Sequence, residues 1–574
     1  YGVELDSVGG NTVSGNYIGT NPAGTAAVPN GAYGVHLLFA SGNTVGGATA
    51  AAGNLISGNA IGGINMQGGA GAHLISNNRI GTAGGGVAPL GNLGNGITMS
   101  DGGGNQVRDN LVAFNGNLGV LVFSDGNSFT GNTLHDNAWS GMQLSGAGNT
   151  VGGTTPAARN IIAGNDQGGL NIVGAGATGN LVQGNYIGVA ADGVTADGNA
   201  FVGLALTSGA DDNIIGGAAP GAGNLIANSG FEGVLIDSGS HTVAGNTVRD
   251  NGEEGIALFP GVADNTIGGL TAAAGNLVTG NALAGISVDG GAGNRVLSNR
   301  SFANGGPAIE LLNGANNGQQ APTVTAAVPG APAPGQSNVQ GWLVGAAPDT
   351  TYTVQLFGGE TCALGGGAEA RTLLDSFSAI IGPDGTAPLT RTLGLGLAGG
   401  YVSATATDAL GNTSALATCA PVGPDNTDWF TALPLPGGLT VGAEQALALP
   451  GQVRWYSVEV QPRSRVTVNL GSLPAGYDLA LFNDLGARAE ELALAASADL
   501  TATLAIAQEL IDYDALEASN FVTNTLAPEL YSPEAFTTLA LAPENYRPDV
   551  IAETVVSPYK TSPYKTSPYK TSPY

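Results

Sequence analysis

The first 316 residues repeat one short pattern: a glycine followed by three residues that read apolar, variable, apolar. Neighbouring copies lie about 22 residues apart, as between Gly119 and Gly141, or 22 residues plus an insert. A strand of four or five residues is unstable alone, but copies stacked on one another can pair in register. The repeat therefore predicts a solenoid. The glycines that open its copies are Gly2, Gly34, Gly63, Gly96, Gly119, Gly141, Gly169, Gly203, Gly233, Gly255 and Gly285, with a weaker copy at Ala308.

A second repeat consists of asparagines five residues apart with an apolar pair between them, as in NTVSGN at 11–16. Asparagine tolerates left-handed turn conformations, and its amide can bond to the same amide one coil away. We therefore predict a structural asparagine ladder, in which His73 and His241 occupy variant positions. Its members are Asn11, Asn16, Asn54, Asn59, Asn105, Asn110, Asn127, Asn132, Asn160, Asn165, Asn180, Asn185, Asn276, Asn281, Asn294 and Asn299.

The repeat length favours strands over helices. A coil of about 22 residues has room for three short strands with their turns, and no window shows the i, i+3, i+4, i+7 spacing of a helix. The phrases NTVSGNYIGT at 11–20 and VGGTTPAARNIIAGN at 151–165 resemble the right-handed parallel β-helix repeats of secreted proteins from filamentous green bacteria and their relatives. The resemblance implies a mainly β protein with a right-handed parallel β-helix of about 12 coils over 1–316, located extracellularly or at the cell surface.

Residues 317–423 alternate like half-buried antiparallel strands. The phrase ATDALGNTSAL, which ends at Leu416, resembles the end of a bacterial Ig-like β-sandwich. Cys362 and Cys419 lie within this stretch, and an oxidising compartment would favour a disulfide between them. Two free, buried thiols are the alternative interpretation.

The remaining chain divides into three predicted parts. Residues 424–490 resemble the small β-domain known as the pre-peptidase C-terminal domain. Residues 491–525 are rich in Ala, Leu, Glu and Gln and predict a helical segment. Residues 526–574 carry prolines on a five-residue period, which excludes a regular helix or a central strand and predicts an extended stalk.

The charge balance excludes nucleic acid as a partner. The formal net charge is −27, and residues 1–316 contain no lysine and six arginines against 19 acidic residues. Neutralising phosphates requires a basic stripe, which is missing here. No apolar run is long enough to predict a membrane span.

Known catalytic patterns of β-helix enzymes are incomplete in this sequence. Asp211 and Asp212 form an Asp-Asp step, as in polygalacturonases, but the Gly-His-Gly and Arg-Ile-Lys companions are missing. No lysine in 1–316 can serve as the base of a pectate lyase, and the Asp-Pro-His of alginate epimerases is absent. We therefore expect no enzyme activity, no catalytic residues and no cofactor. The four histidines, expected to be structural, are His36, His73, His135 and His241.

Two weaker binding patterns remain. Acids that follow the glycine-led strands could stack along one edge and bind Ca²⁺, although a solvated corner is the favoured interpretation. These acids are Asp6, Asp101, Asp125, Asp237 and Asp289. Aromatic side chains could stack on sugars, although packing against inserts explains the two tyrosines equally well. The aromatics are Tyr17, Tyr186, Trp139 and Phe231.

Two classes of function follow. The preferred one is a non-enzymatic structural or adhesive protein that assembles with itself, head to tail, into a filament. The alternative is a carbohydrate-binding or polysaccharide-degrading β-helix protein, with cell-envelope glycans as partners. An open coil can accept a strand from another molecule. The candidate assembly strands are YGVEL (Tyr1, Gly2, Val3, Glu4 and Leu5) and VIAETVV, including Val550, Ile551, Val555 and Val556.

Overall fold

The computed structural model describes residues 1–423 except 70, 331, 332, 334, 346, 361–367 and 398. Beyond 423 it describes six short strands. The chain divides into two compact units, Tyr1–Asp425 and Asn426–Tyr574.

Three parallel sheets build the first part of the chain, and each coil contributes one strand to each sheet. The first sheet contains Val3–Asp6, Tyr33–Leu38, Gly62–Gln67, Ile97–Met99, Val120–Val122, Met142–Leu144, Leu170–Val173, Leu204–Thr207, Val234–Ile236, Ile256–Leu258, Ile286–Asp289 and Ile309–Leu312. The second contains Thr12–Val13, Thr44–Gly46, Leu74–Ser76, Gln106–Arg108, Ser128–Thr130, Thr150–Gly152, Leu181–Gln183, Ile214–Gly216, Thr242–Ala244, Thr266–Gly268 and Arg295–Leu297. The third contains Tyr17–Ile18, Leu55–Ile56, Arg79–Ile80, Leu111–Ala113, Thr133–His135, Ile161–Ala163, Tyr186–Ile187, Leu225–Ala227, Thr247–Arg249, Leu277–Thr279 and Arg300–Phe302. The parallel β-helix expected from the repeat is thus confirmed.

Each strand sends alternate side chains into the helix, where residues at equivalent positions stack coil on coil. Val120 pairs in register with Met142, and both side chains are fully buried. Each such apolar side chain contributes roughly 1.5–3 kcal/mol through burial. The glycine that opens the pattern has a steric cause, since a Cβ on Gly119 would lie 2.5 Å from the carbonyl oxygen of Gly141. The glycine therefore recurs because neighbouring coils stack at a fixed, short distance.

Helical structure is sparse in the described part of the chain. It consists of three 3-10 segments, Ala50–Ala52, Pro156–Ala158 and Ala315–Gly318. None of the described helices is long and apolar enough to cross a membrane.

Two antiparallel sheets follow the helix. One contains Thr323–Pro329, Ser337–Val344 and Thr386–Leu393, and the other contains Thr372–Ile380, Thr351–Gly359, Tyr401–Thr407 and Ala420–Pro421. Their apolar faces share one core, which includes Val339, Val354 and Leu389. We call these two packed sheets the sandwich. Cys362 lies outside the described residues, so the disulfide with Cys419 stays a prediction.

The sandwich supplies hydrogen-bond acceptors to the last coil of the helix. The backbone N–H of Val296 donates to Thr413 Oγ1 at 2.9 Å, and that of Ser298 donates to Gln355 Oε1 at 2.7 Å. The N–H of Gly293 donates to Asn412 Oδ1 at 2.8 Å. The open edge of the second sheet is therefore covered by side chains that satisfy its donors.

Beyond residue 423 the described strands form three pairs. Leu433–Leu435 runs parallel to Tyr456–Val458, Arg465–Val468 runs parallel to Ile551–Thr554, and Asp478–Leu479 pairs antiparallel with Asn524–Thr525. One expectation needs correction, because Asn524–Thr525, at the end of the predicted helical segment, is extended. Ile551–Thr554, within VIAETVV, pairs with Arg465–Val468 of the same unit, and its role as an assembly strand stays a prediction. The rest of 491–525 lies outside the described residues, as do Val550, Val555 and Val556.

Replacing Gln355 with leucine should loosen the junction between helix and sandwich. The substitution leaves the buried Ser298 N–H without an acceptor, which costs about 1–3 kcal/mol. We expect a lower free energy of unfolding in a denaturant titration and faster amide exchange at residues 293–302. The partly exposed Gln340, replaced in the same way, is the control. Equal exchange rates in Q355L and the unsubstituted chain would contradict the capping role.

Candidate functional site

The predicted asparagines lie in three separate ladders, one at each corner of the coil. The first precedes the second sheet, the second precedes the third sheet, and the third follows it. Of the predicted residues, Asn11, Asn105, Asn127, Asn180 and Asn294 lie in the first ladder. Asn16, Asn54, Asn110, Asn132, Asn160, Asn185, Asn276 and Asn299 lie in the second. Asn59, Asn165 and Asn281 lie in the third.

One rung shows why asparagine is used at these corners. The backbone N–H and the Nδ2 of Asn105 both donate to Oδ1 of Asn127, at 3.0 and 2.8 Å. Both residues are buried. An amide supplies a donor and an acceptor on one short side chain. Each asparagine can therefore donate to the asparagine of one neighbouring coil and accept from that of the other. Sequence spacing alone missed further members such as Asn43, Asn92 and Asn199, because inserts separate them from a partner five residues away.

Two histidines replace asparagine in the first ladder. The N–H of Asn43 donates to His73 Nδ1 at 3.1 Å, and that of Asn213 donates to His241 Nδ1 at 3.2 Å. Since Nδ1 accepts in both cases, each ring is neutral with its proton on Nε2. Burial lowers the pKa of His241 to about 4 and also lowers the pKa of His73.

His241 also lies beside a serine and an aspartate, an arrangement that resembles a catalytic triad by composition. Ser238 Oγ is 3.0 Å from His241 Nε2 and donates to the carbonyl oxygen of Leu206 at 3.2 Å. Because Nε2 carries the proton, the ring donates to Ser238 and cannot accept its hydroxyl proton. Asp211 and Ser238 line a shallow hollow of about 470 Å³. The contact between Ser238 and His241 therefore supports the coil and does not activate the serine, and Asp211 borders the hollow beside it.

The remaining two histidines form ion-pair contacts. His36 is buried in the first sheet, with Nδ1 3.2 Å from Glu4 Oε1 and its ring stacked on Tyr1 at 4.3 Å between centroids. His135 Nδ1 lies 2.7 Å from Asp136 Oδ2 in the third sheet. The two sites lie on different sheets, far apart in coil order.

The acids predicted for Ca²⁺ binding are used in turns instead. Asp101 accepts from the N–H of Gly68 at 3.1 Å, Asp125 accepts from that of Ala147 at 2.7 Å, and Asp289 accepts from Asn313 Nδ2 at 2.6 Å. Asp6 accepts from Ser7 Oγ, and Asp237 borders the hollow near Ser238. These five carboxylates do not gather into a cluster.

The outward face of the first sheet is recessed. Seven of its outward side chains are buried, whereas outward side chains of the other two sheets are mostly half-buried or exposed. Leu235 and Ala205 on this face pack with Val202 and Phe259. We call this recessed outward face of the first sheet, along its successive coils, the trough. The seven buried outward residues are His36, Asn65, Thr98, Ala205, Leu235, Ala257 and Ser287.

One wall of the trough is a column of side chains at the corner before the first sheet. Backbone hydrogen bonds place them one per coil, in the order Trp139, Gln167, Phe201, Phe231 and Glu253. Trp139, Phe201 and Phe231 are 50, 43 and 38% exposed, although their neighbours on the trough floor are buried or half-buried. The rings of Phe201 and Phe231 lie 4.5 Å apart. The wall thus places three partly exposed aromatic side chains in one column along the helix axis.

The floor beside Trp139 is polar. Gln143 and Asn171 are register partners on neighbouring strands. Asn171 Nδ2 donates to Ser140 Oγ at 2.9 Å, while its buried Oδ1 has no hydrogen-bond partner. An unpaired buried acceptor is costly unless a ligand or water satisfies it. The half-buried Gln143 therefore brings an amide to the floor at the level of the first aromatic side chain.

The other two aromatics named from the sequence are used in packing. The guanidinium of Arg159 lies 3.8 Å from the ring centroid of Tyr186, a cation–π contact. A Cβ on Gly24 would lie 3.1 Å from the ring of Tyr17, so the first long insert folds against that ring. Trp139 and Phe231 lie in the wall, whereas both tyrosines belong to the third sheet.

Three glutamates lie together at the Glu253 position of the wall. The carboxylate oxygens of Glu232, Glu253 and Glu254 lie within 4.8 Å of one another. Burial raises the pKa of Glu232, and the charges of Glu253 and Glu254 raise it further. In the sequence these glutamates come directly before the glycine of the repeat, in FEG at 231–233 and EEG at 253–255. The acids considered for Ca²⁺ binding instead follow the strand.

Acidification should destabilise the helix through the two ladder histidines. The unfolded histidines titrate near 6.5, above their folded pKa, so protons bind the unfolded chain preferentially. Stability is complete at pH 7 and falls as the pH drops from about 6.5 towards 4, by on the order of 3 kcal/mol for His241. The double variant His73→Asn/His241→Asn should lose most of this dependence in denaturant titrations at pH 7 and 4.5. His135→Asn is the control, and an unchanged pH dependence in the double variant would contradict the assignment.

A gap in the third ladder offers a stabilising substitution. Ser229 stands where the ladder has asparagine, and its buried Oγ has no partner. Asn251, one coil on, approaches Gly233 in the way an asparagine at 229 would approach Gly203. Ser229→Asn should therefore raise the free energy of unfolding by about 1 kcal/mol, measured by denaturant titration. Ser229→Ala is the matched control, and an S229N chain less stable than the unsubstituted one would show that the corner does not accept a rung.

The sequence matches no curated protein. The periplasmic alginate epimerase AlgG is 14% identical over 50% of this chain and 69% of that chain, with a TM-score of 0.32. The Dettilon tailspike protein (gp208) is 14% identical over 68% of this chain and 87% of that chain, with a TM-score of 0.36. At these identities and TM-scores the likeness supports no conclusion about this chain.

A family match covers the repeats and reaches into the sandwich. The family described as the right-handed β-helix region matches residues 1–219 and again 189–327. Together these matches span more than half of the chain, in the region where the three parallel sheets lie. The chain belongs to the right-handed β-helix family.

Proposed function

We propose that this chain is a non-enzymatic glycan-binding protein of extracellular surfaces, and that it holds an extended glycan in the trough. The observation that supports the proposal most is the wall column, in which the partly exposed side chains of Trp139, Phe201 and Phe231 lie along one line. Exposed aromatic side chains in a row are costly to leave in water and are typical of binding surfaces.

The geometry of the column suits a polymeric ligand. Coils are about 4.8 Å apart, so Trp139 and Phe201, two coils apart, are about 10 Å apart along the axis. A chain of pyranose rings running along the trough would meet an aromatic face at intervals. Gln143, Gln167 and Asn171 provide amide groups for sugar hydroxyls, which donate and accept as amides do.

The charge of the trough favours a neutral glycan. Glu232, Glu253 and Glu254 lie at its wall, and residues 1–316 contain no lysine. An anionic polysaccharide would meet like charge without a compensating cation. The proposal therefore assigns the trough to neutral glycans.

Binding without turnover is part of the proposal. The serine–histidine contact at Ser238 and His241 has the wrong tautomer for nucleophilic attack, as shown above. Asp211 lies on the hollow near that contact and not on the trough wall. We expect no release of reducing or unsaturated ends from any bound glycan, measured over hours at high protein concentration.

Truncating the wall aromatics should abolish glycan binding. The fluorescently labelled full chain should bind a subset of neutral glycans on an array, and Trp139→Ala or Phe231→Ala should weaken that binding at least about tenfold, equivalent to 1.4 kcal/mol. Stacking area is lost in each case while the fold remains, since both side chains are on the surface.

Phe39→Ala is the matched control, because Phe39 is 60% exposed and lies outside the wall. Its affinity should equal that of the unsubstituted chain. Failure of the unsubstituted chain to bind any glycan, or equal losses in the F39A and W139A variants, would overturn the proposal.

A further inference from the structure

The floor of the trough changes from polar to apolar along one column of register partners. In coil order the members of this part of the column are Asn171, Ala205, Leu235, Ala257 and Ser287. Three apolar side chains thus stand in a row between two polar ones, and we call Ala205, Leu235 and Ala257 the apolar floor. Each of the three keeps a small exposed area, between 5 and 8% of its surface.

Aromatic side chains border the apolar floor at both ends of its strands. Phe231 belongs to the wall, which precedes the strands of the first sheet, whereas Phe259 directly follows the strand Ile256–Leu258. Phe259 packs against the cluster that contains Leu235. A sugar hydroxyl on this floor would lose hydrogen bonds to water without replacement, whereas a methyl group would gain apolar contact. The apolar floor therefore favours a sugar that bears a methyl group.

A hydrogen-bond acceptor stands beside the apolar floor. Glu253 occupies the wall position on the coil whose floor residue is Ala257, and its backbone N–H donates to the carbonyl oxygen of Phe231 at 3.2 Å. Glu253 is half-buried, and none of the ion pairs in the described part of the chain includes it. Its carboxyl oxygens accept hydrogen bonds, so this wall position suits an uncharged group that donates one.

We propose that the apolar floor and Glu253 bind the acetamido group of an N-acetylated sugar. The acetamido methyl lies on Leu235 and Ala257, and the acetamido N–H donates to the carboxyl group of Glu253. This group is uncharged and carries a methyl and a donor together, so it matches both features. A deoxy sugar offers the methyl without the N–H, and a fully hydroxylated sugar offers neither. The inference rests on the proposed function, because it names the class of sugar that the trough prefers.

The direct test is a glycan array that contains matched pairs of neutral glycans, in which an acetamido group replaces one hydroxyl per sugar. A chito-oligosaccharide and a cello-oligosaccharide of equal length form one such pair. We expect the labelled full chain to bind the N-acetylated members at least about tenfold more tightly than their partners. Equal or tighter binding of hydroxylated or deoxy glycans would overturn this inference and leave glycan binding by the trough intact. A chain that binds no glycan would overturn the proposed function as well.

Leu235→Asn and Glu253→Ala should each remove the preference, by making the floor polar and by deleting the acceptor. The affinity for the N-acetylated glycan should fall about tenfold, while that for its hydroxylated partner changes less than about twofold. Ala257→Ser adds one oxygen, preserves the packing, and should weaken the preference in the same direction. Ile214→Asn, on the outward face of the second sheet, and Glu360→Ala, beside a sandwich strand, are the matched controls. A preference retained in both L235N and E253A would contradict the assignment.

Discussion

The buried amide rung between successive corners is the interaction on which the rest of the helix depends. A parallel β-helix must turn the chain three times per coil, and each turn leaves backbone donors inside, away from water. The rung from Asn105 to Asn127 satisfies a backbone N–H and a side-chain amide with one oxygen. Without it each corner would contain an unpaired buried donor, which costs about 1–3 kcal/mol. The helix has many such corners, so the total cost would be large.

The same translation that stacks the rungs also builds the surface to which we assign glycan binding. Once corners repeat at a fixed rise, any outward position becomes a column with one side chain per coil. The wall is one such column, and Glu232 and Glu254 belong to a second column at the neighbouring position of the same corner. The site is therefore made by replacing ordinary corner residues with Trp139, Phe201, Phe231 and Glu232, while the backbone path is unchanged.

Much of the architecture could be predicted from the sequence because the repeat is local. The glycine at each strand start and the asparagines report close approach between neighbouring coils, so their period predicts parallel stacking. The division into three ladders was not visible, since the same five-residue spacing links the first ladder to the second and the second to the third. Phe201 was missed because it follows a long insert, and the trough was missed because its depth depends on how far neighbouring corners project. The histidines illustrate the limit of composition: only the donor at Asn213 shows which nitrogen of His241 carries the proton.

The central claim is that an extended glycan lies along the outward face of the first sheet. The most direct measurement is a crystal structure of the chain with an oligosaccharide selected on the array. The account predicts sugar rings against Trp139 and Phe231, parallel to the helix axis, with a hydroxyl hydrogen-bonded to the side-chain amide of Gln143. A ligand bound on the second or third sheet, or in the sandwich, with the trough filled by solvent alone, would contradict it.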